Sequence, residues 1–572
     1  MSAQRSRTHS IAAALVLIGA LAAHWSVRAQ APAPDPPPFS LPFTEPAGPA
    51  TWLFQQPYGN TVAAFNYGDV WYEFGQGLHF GLDFEAPCGT PVHAIADGVV
   101  VALNSPFYGA GPRNIVLDHP GTGYASLYGH LSRNASGVYI GDAVARGDII
   151  GYSGDPDGSC GSRPHLHLEI RSADHLSTTN PAPLLAANWH MLGSVGLEQP
   201  VFQQDLDTPR RWMRLEDQPD VHFGGNTLNL YAHPWPPPVE LAPPPNPPPD
   251  RILPVLPQGV DVEVQPISRW RWGVGAWWQP EDNTALYVVD APPKQTSAVY
   301  RLPLTGGIRQ FVRPTPPLLT SPDGSITIER QPDGLMQLTR PAENLHWTVD
   351  TQGIYPAISP DGARLLWRVV YGDIVPGTST PAVAFWVSNV DGSAPRRVYS
   401  ARDATAQWVD ARRILITRRI TYTPTRELYL LDITQPEAEP QRLGAYDFLH
   451  TLRVGPGGAF IAFFLAFQKD PAANGIYTQR TIPGSSPQRV AAFGAYRWRD
   501  RRSLYLLSFD PAQNAHALGV VDASSGRVRW LTDPATLPIR VASGAWSVSP
   551  DGQQIAFLDP QDYGLYLLRL IP

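Results

Sequence analysis

Two short segments of this sequence carry residues of metal-binding type. The first is His79-Phe-Gly-Leu-Asp83 and the second is His165-Leu-His167. Imidazole nitrogens and carboxylate oxygens are zinc ligands, and a hydrolytic zinc site uses three protein ligands while leaving a fourth position open for the reaction. The two segments therefore predict a hydrolytic zinc enzyme with one histidine to spare.

The spacing within the second segment predicts a strand that aims both histidines at one point. Residues i and i+2 of a strand face the same side, so His165 and His167 project together while Leu166 and Leu168 pack on the other side. Glu169 shares the parity of the histidines, and we expect it either to orient one of them or to be an ordinary exposed carboxylate. The helical metalloprotease spacing H-E-x-x-H does not occur in the chain.

The surrounding residues 50–190 predict an antiparallel all-β module. Gly81 argues against a helix in the first histidine segment. Short β-type runs separated by glycine turns follow it. These runs are Val92–Ala102, Asn114–Asp118, Ala125–Tyr128 and Asp148–Tyr152.

The chain has two cysteines, and each lies close to one of the histidine segments. Cys88 follows Asp83 by five residues, and Cys160 precedes His165 by five. A disulfide between them would join the two halves of the predicted metal site, with two buried free thiols as the alternative. Zinc ligation by either cysteine is not expected, because the His/Asp set already fills three positions.

The N-terminus has the pattern of a secretory signal peptide over residues 1–29. Arg5 and Arg7 precede an apolar run, Ile11–Ala23, and Val27-Arg28-Ala29 offers a small-residue cleavage site. The run is shorter than the roughly 20 residues that span a bilayer, and an uncleaved anchor is the alternative. No later stretch is long and apolar enough to span a membrane. We therefore expect a secreted or extracytoplasmic protein of the cell envelope.

Charge and proline content organise the rest of the chain. The net charge of −7, without a basic stripe, disfavours nucleic-acid binding. Residues 30–49 predict a Pro/Ala-rich spacer, and residues 234–257 predict a stiff linker of polyproline II type. Residues 191–233 form a connector whose structure the sequence does not indicate.

Residues 258–572 repeat a turn of the Ser-Pro-Asp-Gly type at intervals of about 47 residues. Strong copies begin at positions 321, 359, 455 and 549, and weaker ones at 279, 408 and 498. Proline and glycine suit tight turns between two strands. Seven copies predict a β-propeller of seven blades, with six as the alternative, and Val260–Val264 is expected to complete the last blade.

Residues 50–190 resemble the lysostaphin/LytM-type zinc metalloendopeptidases. The matching motifs, in the family's order, are His79–Asp83, Thr90–Gly98, Leu127–Leu131, Gly147–Gly154 and Pro164–Ile170. The resemblance implies that the Zn²⁺ ligands are His79, Asp83 and His167. It implies also that His165 and His130 are the catalytic histidines beside the metal. Cys88, Cys160 and Arg163 depart from the family pattern, while His119, where the family often has a histidine, is expected to have a structural hydrogen-bonding role.

The resemblances together imply a function. Residues 258–572 resemble a TolB-type β-propeller, a fold that hosts many activities, so its partner is expected to be a protein or a glycan. The expected protein is a secreted zinc endopeptidase that cuts peptide cross-links of peptidoglycan. A catalytically silent regulator of cell-wall hydrolases and an endopeptidase acting on extracellular proteins are the alternatives.

Overall fold

The computed structural model describes residues 36–571 with gaps. The longer gaps are 65–75, 194–202, 205–211, 226–259, 269–275, 291–297, 315–318 and 372–381, and the others span at most three residues. The predicted signal peptide and the predicted Pro-rich linker 234–257 lie outside the described residues. The chain divides into two compact units, 1–37 and 38–572, and all elements below belong to the second. Among the described residues, no helix has the length and apolar character needed to cross a bilayer.

In the part of the chain that the structure describes, the N-terminal module, residues 38–222, contains short strands and three single-turn 3₁₀-helices. The strands are β1 Leu53–Gln56, β2 Leu82–Glu85, β3 Pro91–His93, β4 Gly98–Leu103, β5 Ile115–His119, β6 Tyr124–Gly129, β7 Leu131–Asn134, β8 Ala143–Val144, β9 Ile149–Ser153, β10 His165–Ser172, β11 Ser177–Thr179, β12 Gln203–Gln204, β13 Trp212–Met213 and β14 Val221–His222. The 3₁₀-helices are Pro106–Tyr108, Ala182–Leu184 and Leu215–Asp217.

A nine-stranded antiparallel sheet forms the body of this module. Its order is β1-β2-β10-β6-β5-β4-β8, with β11 and then β14 added beside β10. A smaller sheet has the order β3-β9-β7. Strand β10 is buried along seven of its eight residues, which places the second histidine segment at the centre of the module. The predicted antiparallel all-β class is confirmed for this module.

One predicted run, Val92–Ala102, is wrong as a single strand. It splits into β3 in the small sheet and β4 in the large one, because the intervening residues bond elsewhere. The Ala94 amide donates to the Asp148 carbonyl over 2.9 Å, and the Ile95 amide donates to the Tyr128 hydroxyl over 2.9 Å. The chain therefore crosses from one sheet to the other at this point.

Residues on both sides of the predicted 50–190 boundary pack onto the N-terminal module. In the predicted spacer, Phe39 and Phe43 are 0% and 7% exposed, and burying such side chains contributes about 1.5–3 kcal/mol each. In the predicted connector, β14 pairs with β11, and Asn180 donates to the Leu215 carbonyl over 2.7 Å. The module thus includes residues that the sequence assigned to a spacer and a connector.

The C-terminal module, residues 261–571, contains seven four-stranded antiparallel sheets in the part of the chain that the structure describes. Six are formed by strands consecutive in sequence: β16 Trp277–Gln279, β17 Asp282–Asp290, β18 Ala298–Pro303 and β19 Gln310–Pro314; β20 Leu319–Thr320, β21 Thr327–Arg330, β22 Met336–Arg340 and β23 Leu345–Val349; β24 Ala357–Ile358, β25 Arg364–Tyr371, β26 Ala382–Asn389 and β27 Arg396–Arg402; β28 Ala404–Trp408, β29 Arg413–Arg419, β30 Thr425–Asp432 and β31 Gln441–Asp447; β32 Leu449–Val454, β33 Phe460–Leu465, β34 Gly475–Arg480 and β35 Gln488–Ala491; β36 Ala495–Trp498, β37 Ser503–Asp510, β38 Ala515–Asp522 and β39 Val528–Trp530.

The seventh sheet joins the two ends of the module. Its strands are β40 Trp546–Val548, β41 Gln554–Leu558, β42 Leu565–Ile571 and β15 Asp261–Ser268, the first strand in sequence. Strand β15 pairs with β42 from Asp261 opposite Ile571 onward. Short 3₁₀-helices lie at Pro341–Glu343, Pro456–Gly458 and Pro471–Ala473.

In each of these seven sheets the predicted repeat turn joins the first two strands of the repeat. The serine of the copies at 359 and 549 explains why these two turns are tight. The Ser359 hydroxyl donates to Asp361 over 2.5 Å and accepts the Arg364 amide over 2.9 Å. Ser549 makes the same pair of bonds with Asp551 and Gln554.

The two modules contact each other along the β1 edge of the nine-stranded sheet. The Phe467 amide donates to the Pro49 carbonyl over 2.6 Å. Leu53 of β1, 2% exposed, belongs to a cluster that includes Phe464 of β33. His450 Nε2 lies 3.7 Å from Glu85 Oε1, at the end of β2. The C-terminal module is therefore packed against β1 and against the end of β2, the strand that carries Asp83.

Candidate active site

Strands β2 and β10 bring the two histidine segments together. They pair antiparallel with His167 opposite Asp83 and His165 opposite Glu85. His79 lies just before β2 and is held by a bridge to Gly59. A side chain at Gly81 would lie 2.9 Å from the His167 ring, so glycine there lets the ring approach the turn. The two segments thus meet because β2 and β10 pair.

Three donor atoms converge at this point. His79 Nε2 lies 3.1 Å from both Asp83 Oδ1 and His167 Nδ1, and the last two atoms are 2.8 Å apart. Tetrahedral zinc ligands stand about 3.3–3.5 Å from each other. The residues form the set of His and Asp side chains that could hold a metal ion among the described residues, and their chemistry and spacing fit zinc.

A second layer of groups orients the two imidazoles. The Pro57 carbonyl, which can only accept, lies 2.7 Å from His79 Nδ1, so that nitrogen carries the proton and Nε2 keeps its lone pair. His167 presents Nδ1 to the donor set and Nε2 to Glu169 Oε1, 3.0 Å away. Such carboxylate and carbonyl partners fix the tautomer of a zinc-binding histidine.

Glu169 is itself held by a buried arginine. Arg171 donates from Nε to Glu169 Oε2 over 2.7 Å and from Nη2 to the Tyr108 carbonyl over 2.8 Å. Glu169 and Arg171 are 4% and 5% exposed, so the orienting role is the one the structure supports for Glu169. Arg171 was not among the residues predicted from the sequence, although its i+2 spacing on β10 continues the parity of His165, His167 and Glu169.

Two further histidines lie beside the donor set. The His130 and His165 rings are 4.8 Å apart between centroids, and His165 Nε2 lies 3.8 Å from Asp83 Oδ1. His130 Nδ1 faces the Gly111 carbonyl, and His165 Nδ1 faces the Arg163 carbonyl at 2.7 Å. Because a carbonyl only accepts, both rings carry the proton on Nδ1 and keep an unprotonated Nε2.

The pKa values of His130 and His165 shift in the opposite direction to that of His167. Burial, with the neighbouring His165 and His167, holds the pKa of His130 well below its usual range, and burial also lowers the pKa of His165. Both rings are therefore neutral bases near pH 7. Burial would lower the pKa of His167 as well, but its hydrogen bonds to Asp83 and Glu169 outweigh this and raise that pKa to about 9.

Asp83 is charged in this surrounding. Burial would raise its pKa, but His79 and His165 together with the hydrogen bonds from His167 and His79 hold the pKa of the carboxyl well below its usual range. A buried carboxylate beside imidazole rings needs a positive charge close to it to compensate its own. In the metal-free protein a proton on His167 supplies it, and a bound metal ion would replace that proton.

His119 lies outside this cluster. Its Nδ1 is 2.8 Å from the Asp97 carbonyl and its Nε2 is 2.8 Å from Ser126 Oγ. It therefore bonds neighbouring strands of the large sheet, as expected of a structural histidine. Cys88 and Cys160 form a disulfide with Cα atoms 5.4 Å apart, which confirms the predicted bridge between the two halves of the site.

An antiparallel sheet that offers a buried His-Asp-His donor set, with two neutral histidines beside it, defines a zinc-dependent hydrolase. The comparison with known families makes the assignment specific. Residues 77–181 match the model of Peptidase family M23, and this part of the chain is an M23 peptidase domain. Members of this family are zinc metalloendopeptidases, and zinc is the cofactor of this domain.

Curated relatives are similar over the same part of the chain. Lysostaphin of Staphylococcus simulans is 33% identical over 138 residues, 24% of this chain and 26% of lysostaphin. Glycyl-glycine endopeptidase ALE-1 of Staphylococcus capitis is 34% identical over 138 residues, 24% of this chain and 35% of ALE-1. DD-carboxypeptidase/endopeptidase Mpg of Neisseria meningitidis serogroup B is 42% identical over 94 residues, 16% of this chain and 20% of Mpg. The chain thus spans a third or less of the length of most of these relatives, and the similarity is one of the peptidase domain.

Proposed function

We propose that this protein is an extracytoplasmic zinc endopeptidase that hydrolyses peptide bonds in peptidoglycan cross-links. The observation that carries the proposal is the convergence of His79 Nε2, Asp83 Oδ1 and His167 Nδ1 within 3.1 Å of one another in a domain that matches the M23 family. These three residues would be the metal ligands.

His130 and His165 would perform the proton transfers. When bound, zinc supplies Lewis acidity toward the attacking water and the scissile carbonyl. The unprotonated Nε2 of one histidine accepts the proton of the water, and the other histidine, once it is protonated on its own Nε2, donates a hydrogen bond to the developing oxyanion. The carbonyls of Gly111 and Arg163 keep the proton of each neutral ring on Nδ1, which is the tautomer that a general base acting through Nε2 needs.

The substrate and the location rest on supporting observations. The curated relatives are named as a glycyl-glycine endopeptidase and a DD-carboxypeptidase/endopeptidase, activities suited to the short peptides of bacterial cell walls. The Cys88–Cys160 disulfide is of a kind that persists in oxidising compartments, in agreement with the predicted signal peptide.

The C-terminal module would be a seven-bladed β-propeller of TolB type that binds or positions the substrate. Support comes from the seven four-stranded sheets of similar size and from β15, which joins the last sheet to the start of the module. Pairing of first and last strands is a common way to close a propeller ring.

The test is digestion of purified peptidoglycan by the full chain, with zinc content and the mass of released peptides measured together. The wild type is expected to bind one zinc ion and to release cleaved cross-link peptides. His79→Ala is expected to lose both. His346→Ala, an exposed histidine on β23, is the matched control and should keep both.

Two results would overturn the proposal. A zinc-loaded wild type with no turnover of peptidoglycan or glycine-rich peptides would exclude the enzymatic function. Equal activity of the wild type and His79→Ala would exclude the assigned metal site.

A further inference from the structure

The loop that leads into β10 connects the C-terminal module to a catalytic histidine. We call residues 155–161 and 163 the rim loop and residues 420–424, which join β29 to β30, the module turn. A methyl group at Gly161 of the rim loop would collide with the carbonyl oxygen of Tyr422 in the module turn, and it would lie 3.3 Å from Thr423 Cα. The two backbones are therefore in direct contact.

The rim loop is internally bonded, so a contact at Gly161 reaches His165. Asp155, 1% exposed, accepts the Arg163 amide over 2.6 Å. The Arg163 carbonyl in turn lies 2.7 Å from His165 Nδ1 and sets which ring nitrogen carries the proton. The disulfide at Cys160 ties the same loop to the turn that follows β2, in which Cys88 lies.

The module turn is also firmly built. The Thr423 amide and hydroxyl both donate to the Ile420 carbonyl, over 3.1 and 2.9 Å, and the Ile420 amide donates to the Thr425 carbonyl over 3.0 Å. Arg419, at the base of the turn, has its pKa lowered to about 10 by burial, and the charges of Arg163 and Asp155 act on it. A rigid turn therefore rests on a rigid loop.

A second contact lies on the same edge of the site. His450 lies 3.7 Å from Glu85, and Glu85 is the residue opposite His165 in the β2–β10 pair. The C-terminal module thus touches both the loop that precedes His165 and the β2 residue that pairs with His165.

We propose that the module turn is a positioning element of the catalytic site: it supports the rim loop at Gly161 and so holds the Arg163 carbonyl against His165. The C-terminal module then contributes to the rate of peptide hydrolysis and does more than bind substrate. This inference rests on the proposed catalytic role of His165.

The test is a double-mutant cycle in the zinc-loaded full chain. The first change is Gly161→Ala, whose backbone lies outside the left-handed region, so the added methyl acts through the Tyr422 contact. The second replaces Thr421–Pro424 by Asn-Gly, a two-residue hairpin turn that withdraws the Tyr422 carbonyl. Coupled residues give non-additive effects in such a cycle.

We expect Gly161→Ala to lower kcat about tenfold on a soluble cross-linked muropeptide with KM and zinc content unchanged. The melting temperature should also fall, because one of the two backbones must shift to admit the methyl group. The shortened turn should lower kcat severalfold. Adding Gly161→Ala to the shortened-turn variant should not lower kcat further. Gly48→Ala, where the nearest atom to the added methyl is 3.8 Å away, is the control and should behave as the wild type.

Hydrogen exchange over residues 155–165 provides a readout that does not depend on turnover. Exchange should become faster in the shortened-turn variant. Equal losses from Gly161→Ala in both backgrounds, or unchanged exchange in the shortened-turn variant, would overturn the positioning role. A wild type without turnover would instead exclude the proposed enzymatic function. The exchange data would still show whether the module turn supports the rim loop.

Discussion

At the residue scale, the orientation of His167 as a zinc ligand depends on a carboxylate that does not touch the metal position. Glu169 accepts the hydrogen bond of His167 Nε2 and is held by Arg171. Loss of such a partner lowers zinc affinity about 10- to 100-fold. We expect this loss for Glu169→Gln, which keeps the shape of the side chain and removes its charge, measured by competition with a chelator. Glu329→Gln, at an exposed position of β21, is the control, and equal affinities of the two variants would contradict the orienting role.

His119 should make the stability of the peptidase domain depend on pH. Burial lowers its pKa from the ordinary value of 6.5, so the folded protein keeps the ring neutral while the unfolded chain binds a proton below about pH 6.5. The contribution of His119 to stability is therefore present above that pH and is lost as the pH falls.

The comparison of the wild type with His119→Gln isolates this effect. Glutamine can bond both the Asp97 carbonyl and Ser126 without titrating. The free energy of unfolding, measured by denaturant titration between about pH 7.5 and 5, should fall more steeply for the wild type. If the two curves ran parallel, the pKa of His119 would be the same in the folded and unfolded states, contrary to this expectation.

Individual site residues were predictable where local rules apply. The i+2 spacing of His165 and His167 predicts their common face, and β10 is the strand that this prediction requires. The same rule could not say whether Glu169 is buried or exposed, because burial depends on what packs over β10. The carbonyls of Pro57 and Gly111 lie 22 and 19 residues from the histidines that they orient, and spacing within one segment carries no information on them. Arg171, by contrast, lies on β10 at the parity of Glu169.

At the scale of elements, the disulfide should stabilise the domain by restricting its unfolded chain. The two cysteines are separated by 72 residues in sequence, and closing a loop of that size is worth about 4 kcal/mol in the chain-entropy model. We expect replacement of Cys88 and Cys160 by serine to lower the free energy of unfolding of the zinc-loaded domain by about 2–4 kcal/mol. Denaturant unfolding of both proteins measures it, and a change below about 1 kcal/mol would contradict the expectation.

The elements themselves were predicted best where turn chemistry repeats. The Ser-Pro-Asp-Gly copies predict the first hairpin of each repeat correctly, since their hydroxyl and carboxylate bonds are local. The split of Val92–Ala102 between β3 and β4 was not predictable, because it depends on bonds from residues 94 and 95 to Asp148 and Tyr128. Apolar periodicity reports that a segment is extended and not which sheet it joins.

At the scale of the whole molecule, sequence patterns separated two modules but not the contact between them. The Pro-rich stretch before residue 258 suggested domains held apart, whereas the structure packs Leu53 into a cluster with Phe464 and places His450 beside Glu85. These pairs lie hundreds of residues apart in sequence. Such contacts depend on complementary surfaces, which single-sequence periodicity does not describe.

The pairing of β15 with β42 ties the start of the C-terminal module to its end, so the stability of the module should depend on one edge strand. Val262 and Val264 pack against a cluster that includes Leu568 and Leu570, and the strand contributes its hydrogen bonds along the whole of β42. Replacing both valines by aspartate puts charge against this apolar cluster, which costs several kcal/mol.

We expect the double variant Val262→Asp and Val264→Asp to lower the melting temperature of the C-terminal module by about 5 °C or more in scanning calorimetry. Hydrogen exchange in β42 should become faster at the same time. Glu263→Ser changes an exposed position on the other face of β15 and should leave both unchanged. If the valine variant melted with the wild type, the first strand would be dispensable, and the ends of the module would be held by the remaining sheets alone.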